Sequence, residues 1–433
     1  MGDLAKVRRN IHTYPFKYRH IPEDDFFALE KGSIYIHIPF CSTKCYFCDY
    51  TVYTDKTAGV RAQYVDALCK EIARFAEDRT FPAFEIEAIY LGGGTPGLLT
   101  GDQFEKILTT CRDNYQLTSN CEVCAEFDPA SVEYEKVQQM LEAGYTRLSM
   151  GVQCFDDDIL RQANRPHNLE SVYSGYEAMR KAGCKHLNVD LIYPMPNLTQ
   201  EIWQTSVQKA IALKPDCITA YGLEVWPGTA YYNWLKKGKI TLPDGDSEVK
   251  MYKYAVDELE AAGFVPRSNS GYYHPERTPK YCRFLDFYWR TWPMIGFGVS
   301  SKTVIHNRLW TNIKPLNEYI DRIEKGDSVM DFATFMSKDT EMRRVMIRGL
   351  KMCEVAKEDF AERFGIPMER VFASEIQSLV DDGLAMDEPD RVVLTKKGRT
   401  YGTNVYERFY TKDDLRAPNP GEVQFGISML VLN

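Results

Sequence analysis

From residue 33 onwards, short apolar runs rich in Ile, Val, Leu and Tyr alternate with amphipathic stretches. The runs 33–39, 87–94, 121–127, 147–153, 186–193 and 217–225 read as strands. The stretches 61–76, 102–115, 131–143, 171–183, 200–213 and 247–262 read as helices, two of them closed by Gly183 and Gly263. Near-continuous Val/Ile/Leu strands alternating with helices call for a parallel sheet. Six βα units, starting at 33, 86, 121, 147, 186 and 217, are too many for a hairpin-based fold. They predict an α/β architecture, a partial (β/α)6 barrel whose ligands bind at the C-terminal ends of the strands. Aromatic residues crowd 281–301, and 335–433 reads as helices with a short β segment at 391–398. The expected division is an N-terminal arm over 1–32, the barrel over 33–301, and a small helical, winged-helix-like domain over 302–433.

The chain has 433 residues, 44% hydrophobic and 26% charged, which suits a globular protein with a sizeable core. No apolar run reaches the ~18 residues a membrane span needs. The first residues lack the apolar segment of a secretory signal, so a cytoplasmic protein is expected, with no membrane partner. A formal net charge of −8 argues against a general nucleic-acid binder. Lys6, Arg8, Arg9, Lys17 and Arg19 read as a solvated arm.

Twelve cysteines in such a chain do not suggest a disulfide scaffold. Cys69, Cys111, Cys154, Cys184 and Cys217 stand isolated among apolar residues and read as core. Cys121 and Cys124 fall inside a strand, pointing to opposite faces, and read as structural. Cys41, Cys45 and Cys48 differ, because they crowd the loop after the first strand. A structural zinc site wants four ligands, and a disulfide would leave one cysteine over. An iron–sulfur cluster on three thiolates leaves one iron open for another ligand, and this reading fits the spacing best. One βα unit later, Gly92, Gly93 and Gly94 precede Thr95 and Pro96, with no Lys-Ser/Thr to make a phosphate loop. Backbone without Cβ atoms there admits a ligand closely.

The triad and the glycines resemble the radical S-adenosylmethionine (SAM) superfamily. YIHIPFCSTKCYFCDY (35–50), GGGTP (92–96), EFDP (126–129), RLSMGVQ (147–153), NRPH (164–167) and DLIYPMP (190–196) follow one another in order. Together they resemble the HemN-like family, oxygen-independent coproporphyrinogen III dehydrogenases and their relatives, from about residue 33 to 301. The resemblance implies a radical SAM barrel and a 4Fe–4S cluster on Cys41, Cys45 and Cys48. It also implies SAM on the open iron and reductive cleavage of SAM to a 5′-deoxyadenosyl radical. A flavodoxin- or ferredoxin-type electron donor and a monomeric chain go with it. Two SAM molecules per chain are implied. The first would meet Tyr35, Gly93 and Glu126, with Ile295 to Val299 closing the site. The second would meet Gly94, Thr95, Gln153, Arg165 and Asp190. Carboxylates suit the ammonium and hydroxyls of SAM, and a guanidinium suits its carboxylate.

Departures from the family pattern narrow the expectation. The fourth cysteine of the dehydrogenases is Tyr50 here, and their His-Arg-Asn segment is missing. The His-Asn pair of haem-chaperone relatives is replaced by Phe284 and Leu285, although Tyr288 and Trp289 keep the following Tyr-Trp. His274 or His306 could supply a haem ligand instead. The expected branch is therefore the class C methylases and cyclopropanases, which transfer a SAM-derived one-carbon unit to a small-molecule or peptide substrate. The alternatives are the dehydrogenase, an anaerobic haem-degrading methyltransferase and a haem chaperone. Phe284, Phe287, Tyr288, Trp289, Trp292 and Phe297 either line a pocket for a flat substrate or pack the barrel mouth against the C-terminal unit.

Overall fold

Along the first strand, β1 (Lys31–Ile38), the side chains alternate in kind. Ile34, Ile36 and Ile38 are fully buried and join the main hydrophobic core. Ser33, Tyr35 and His37 occupy the opposite face, because successive strand side chains point to opposite sides. The same alternation runs through β2 (Glu85–Gly93), β3 (Leu117–Phe127), β4 (Arg147–Gln153), β5 (Leu187–Tyr193) and β6 (Cys217–Gly222). Ile89, Val123, Leu148, Val189 and Ile218 belong to the core under the helices. Their neighbours Tyr90, Glu122, Ser149, Asp190 and Thr219 face inward. The apolar runs are thus one-sided, with polar and aromatic residues lining a concave inner face.

The computed structural model describes residues 31–54, 56–77, 85–279, 281–305 and 307–411. The basic arm expected over the first residues, His306 and the chain beyond Thr411 lie outside the described residues. The six expected helices occur as Ala58–Glu77, Gly101–Asn114, Tyr134–Ala143, Leu169–Lys181, Gln200–Ala212 and Gly245–Ala261. Side chains of Thr100, Asn168, Thr199 and Asp244 cap their helices, each accepting from a backbone N–H of the first turn. Among the described residues no helix is long and apolar enough to cross a membrane.

The large sheet is open. Two short strands, β7 (Val265–Pro266) and β8 (Gly271–Tyr273), run antiparallel beyond β6. A seventh parallel strand, β9 (Met294–Phe297), pairs with β1, setting Ser33 against Met294 and Ile36 against Phe297. The antiparallel strands β10 (Lys302–Ile305), β11 (Arg308–Asn312) and β12 (Met330–Phe335) continue from it. The full order is β12-β11-β10-β9-β1-β2-β3-β4-β5-β6-β8-β7. The boundary expected at residue 302 falls between β9 and β10 of this one sheet. A separate core, from Val345 to Tyr410, packs helices around β13 (Glu354–Ala356), β14 (Ala385–Asp387) and β15 (Arg391–Leu394).

One helix, Arg283–Trp289, does not join the outer layer. Its Phe284 joins Ala88, Cys217, Cys282 and Met294 in a cluster on the inner face, with Tyr35, Tyr90 and Tyr288 packed against it. Below it, Glu122 and Arg147 form a buried ion pair at 3.0 Å. Arg147 also donates to the Cys217 sulfur at 3.3 Å. The inner face is therefore closed at that end.

Candidate functional site

The loop after β1 is held at both ends. Phe40 is buried against Tyr64, ring centroids 5.3 Å apart, and bridges to Tyr53. Cys41 N–H donates to the Tyr53 carbonyl at 3.2 Å, and Cys48 N–H to the Cys45 carbonyl at 3.1 Å. Asn164 and Tyr46 tie the far side of the loop to the segment after β4. Cys41, Cys45 and Cys48 are all free and partly exposed within this loop. Thr95 Oγ1 donates to the Cys41 sulfur at 3.5 Å, and Arg165 Nη1 to the Cys45 sulfur at 3.2 Å. Burial pushes the Cys41 thiol up to about 11 and the Cys48 thiol up to about 12. Metal binding there must release protons.

Among the described residues no group of three or more His, Cys, Asp or Glu is gathered to hold a single metal ion. A 4Fe–4S cluster makes a different demand, since each thiolate takes its own iron. Three soft donors in one braced loop, with two sulfurs already accepting hydrogen bonds, fit that group.

Gly93, the last residue of β2, and Gly94 after it let this loop approach. Gly94 N–H donates to the Ile38 carbonyl at 2.9 Å, and Thr95 N–H to the Phe40 carbonyl at 2.7 Å. A Cβ on Gly94 would stand 2.7 Å from both carbonyl oxygens. Gly93 has φ +101°, a left-handed conformation that leaves its N–H pointing at Glu126 Oε2, 3.3 Å away.

Glu126 lies at the end of β3 on the inner face. Tyr90 donates its hydroxyl to Oε1 at 2.5 Å. Burial pushes the carboxyl up to about 7, and Asp190 adds to the rise against the opposing bonds from Tyr90 and Gly93. No cation pairs with it among the described residues. A half-buried carboxylate with two neutral donors and no cation among the described residues is the arrangement an ammonium would complete. Tyr35, the register partner of Tyr90 on β1, donates to His37 Nδ1 at 3.1 Å, while His37 Nε2 donates to the Thr51 carbonyl at 2.9 Å. Burial pushes His37 down to about 4, so it stays neutral in this tautomer.

Most polar atoms of the residues expected at a second SAM find partners within the fold, but Arg165 Nε is buried with no hydrogen-bond partner among the described residues. Asp190 accepts from Ser149 at 2.9 Å and from Asn188 at 2.7 Å. Arg165 donates to Asp128 at 2.5 Å and to the Gly151 carbonyl at 2.8 Å, besides Cys45. Gln153, at φ +69°, faces the Tyr221 hydroxyl at 3.5 Å. Burial would raise Asp128, but Arg165 and His167 outweigh it and hold the carboxyl below its usual range. Ile295 and Val299 sit in the core between sheet and helices, so they offer a ligand backbone and not side chains.

The aromatic cluster divides. Phe284 stacks on Tyr90 at 4.7 Å, on Tyr35 at 6.0 Å and on Tyr288 at 6.3 Å, forming a ladder on the inner face. Phe297 turns outward to Phe75, and Phe287 packs on Trp292. Tyr50 is exposed, 6.4 Å from the His37 ring. His274 is buried against Phe264 behind β8, away from the ladder. Sequence reasoning passed over Tyr90, Asp128 and His167. The last two stand in EFDP and NRPH and carried a signal. Tyr90 carried one only through alternation with Ile89 and Leu91.

Residues 35–210 match the radical SAM superfamily, and residues 336–401 match the HemN C-terminal domain. The chain is 30% identical to the heme chaperone HemW of Bacillus subtilis over 380 residues, covering 87% of this chain and 98% of that one. It is 26% identical to the oxygen-independent coproporphyrinogen III oxidase of Salmonella typhimurium, over 86% of this chain and 84% of that one. The solved structure of coproporphyrinogen III oxidase (HemN) from Escherichia coli superposes with a TM-score of 0.74 at 24% identity, over 88% of this chain and 90% of that one. The chain belongs to the radical SAM superfamily, in the family of HemN and HemW. Membership implies a 4Fe–4S cluster and SAM. The methylase and cyclopropanase branch expected from the departures at Tyr50 and Phe284 finds no support among these relatives.

Proposed function

We propose that this chain is a radical SAM enzyme acting on a tetrapyrrole of the haem pathway, laid along the inner-face ladder of Tyr90, Phe284 and Tyr288. The observation that carries it is the meeting of that flat ladder with Glu126 through the Tyr90 hydroxyl bond. The HemN and HemW relatives supply the ligand class.

When bound, a 4Fe–4S cluster would supply the electron for reductive cleavage of SAM. A flavodoxin- or ferredoxin-type protein delivers that electron. Cys41, Cys45 and Cys48 hold the cluster. Glu126 takes the SAM ammonium, and Tyr90 fixes which carboxylate oxygen faces it. Gly93 and Gly94 let the ligand reach the backbone. Gln153, Arg165 and Asp190 would line the place of a second SAM.

The test is anaerobic incubation with SAM, a strong reductant and coproporphyrinogen III or haem. Faster 5′-deoxyadenosine formation on adding one tetrapyrrole supports the reading, and indifference to both overturns it. A second reading, one-carbon transfer from a second SAM, draws on Tyr50 in place of a cysteine and on Phe284-Leu285 in place of His-Asn. S-adenosylhomocysteine formed alongside 5′-deoxyadenosine favours it. Carbon dioxide without S-adenosylhomocysteine favours oxidative decarboxylation.

A further inference from the structure

At the far end of the ladder from Glu126, the C-terminal unit brings three arginines against the barrel. Glu341, fully buried, is shared by Arg344 at 2.5 Å and Arg363 at 2.7 Å. Arg348 takes no part in that pairing. It is 4% exposed, yet no carboxylate lies within ion-pair distance of it among the described residues. Its guanidinium donates to the Tyr288 carbonyl and lies 4.2 Å from the Tyr288 ring centre and 5.2 Å from that of Trp289. Its Nε has no hydrogen-bond partner. A buried guanidinium without a counter-ion is costly, and a ligand anion would remove that cost.

A second cation faces the same phenol. Lys302, at the start of β10, has an accessible side chain and, among the described residues, no ion pair, with Asp49 the carboxylate that acts on it. Burial would raise the Tyr288 phenol, but Arg348, Lys302 and Arg344 outweigh it and hold it below the usual tyrosine range. One end of the ladder thus carries an unpaired carboxylate, Glu126, and the other carries unpaired cations.

We propose that Arg348, Lys302 and Tyr288 form an anion subsite that reads a carboxylate on the edge of a flat ligand lying along the ladder. The inference rests on the reading that the inner face holds such a ligand. It adds which residues determine specificity, and it draws the C-terminal unit into the site. Arg348 and Lys302 meet the carboxylate with charge-assisted bonds, Tyr288 donates its hydroxyl, and the apolar body stacks on Phe284 and Tyr90.

The test is a set of binding titrations on anaerobically purified protein, read by fluorescence quenching. The probes are coproporphyrin III and its tetramethyl ester, with 1-pyrenebutyrate and its methyl ester as a flat acid outside the tetrapyrrole class. Each acid should bind about tenfold or more tighter than its ester, the worth of a charge-assisted bond. Arg348→Gln and Lys302→Gln should remove most of that preference, and Lys302→Arg should keep it. Arg348 is buried and its variant can fail to fold, but Lys302 is accessible and tests the subsite alone. Acid preference unchanged in Lys302→Gln and in folded Arg348→Gln overturns the subsite. Should only the pyrene pair show the pattern, the tetrapyrrole reading falls and the subsite stands. Binding of neither acid overturns both.

Discussion

Tyr90 donates its hydroxyl to Glu126 across adjacent strands at 2.5 Å, and among the described residues no cation meets that carboxylate. The pair explains how an acid can sit on the inner face of a sheet without an ion pair. It keeps its proton until near pH 7.

The sign of the resulting pH dependence follows from linkage. Folded Glu126 holds its proton up to about pH 7, whereas an unfolded glutamate loses it near 4.5. The contribution of this group to stability is therefore fully present below pH 4.5 and is lost as pH rises through about 7. Glu126→Gln should flatten that decline, by roughly 1–3 kcal/mol between pH 5 and 8. The same variant should weaken SAM binding, by roughly 1.5–3 kcal/mol for the loss of a charged partner. Thermal melts at the two pH values and a SAM titration read both effects. Equal pH slopes in the two proteins would remove the role given to burial here.

Replacing Cys41, Cys45 and Cys48 together with Ala should abolish the visible absorbance of thiolate-bound iron. The iron content should fall from about four per chain to near zero. The loop is braced by backbone bonds at Cys41, Cys48 and Tyr53, so far-ultraviolet circular dichroism should barely change. Iron retained at full content would mean that other residues hold it.

Gly94→Ala should break the cluster loop without touching a cysteine. The new methyl would press on the Ile38 and Phe40 carbonyls, which are backbone and cannot rotate away. A cost of about 1–3 kcal/mol is expected. Lowered cluster occupancy in chemically reconstituted protein, against wild type treated alike, is the readout.

Glu71 should prove to be a positioning residue. It is buried on the helix Ala58–Glu77 and accepts from Gly298 N–H at 2.8 Å, from Asn312 at 2.6 Å and from the Tyr319 hydroxyl. These bonds fix the turn after β9. Burial pushes the carboxyl up to about 6. Glu71→Ala would strand three buried donors, and a loss of about 3 kcal/mol or more is expected. Denaturant unfolding measures it. Loss of less than about 1 kcal/mol would show that water replaces the carboxylate.

Much of this was legible from chemistry written at short range. The six strands and six helices follow from apolar runs, and alternation within RLSMGVQ already puts Arg147, Ser149 and Gly151 on one face. The cysteine spacing pointed to an iron–sulfur cluster, which membership of the family also implies. β9 was not legible, because Met294–Phe297 is four residues long, contains a glycine and is flanked by aromatics that obscure any period. Nor was the split of the aromatic cluster, since Phe284 and Phe287 differ only in which side of one short helix they occupy. Arg348 gave no signal at all. Its meaning comes from Glu341 being spent on Arg344 and Arg363, a relation between three side chains and a fold.

The pairing of β1 with β9 has a consequence for biosynthesis. Ser33 and Pro293 are hydrogen-bonded partners 260 residues apart. At roughly 5–20 residues per second, a ribosome takes about 13–50 s to supply that partner after β1 has emerged. Throughout that interval one edge of β1 stays bare, an invitation to pair with whatever strand is near. The cysteine loop hangs from the end of that same strand, and Glu71 still lacks the turn it will hold. Metal delivered before that point would meet an unfinished cradle, so the order of events is set: β9 and the turn after it must be made before the loop can be loaded.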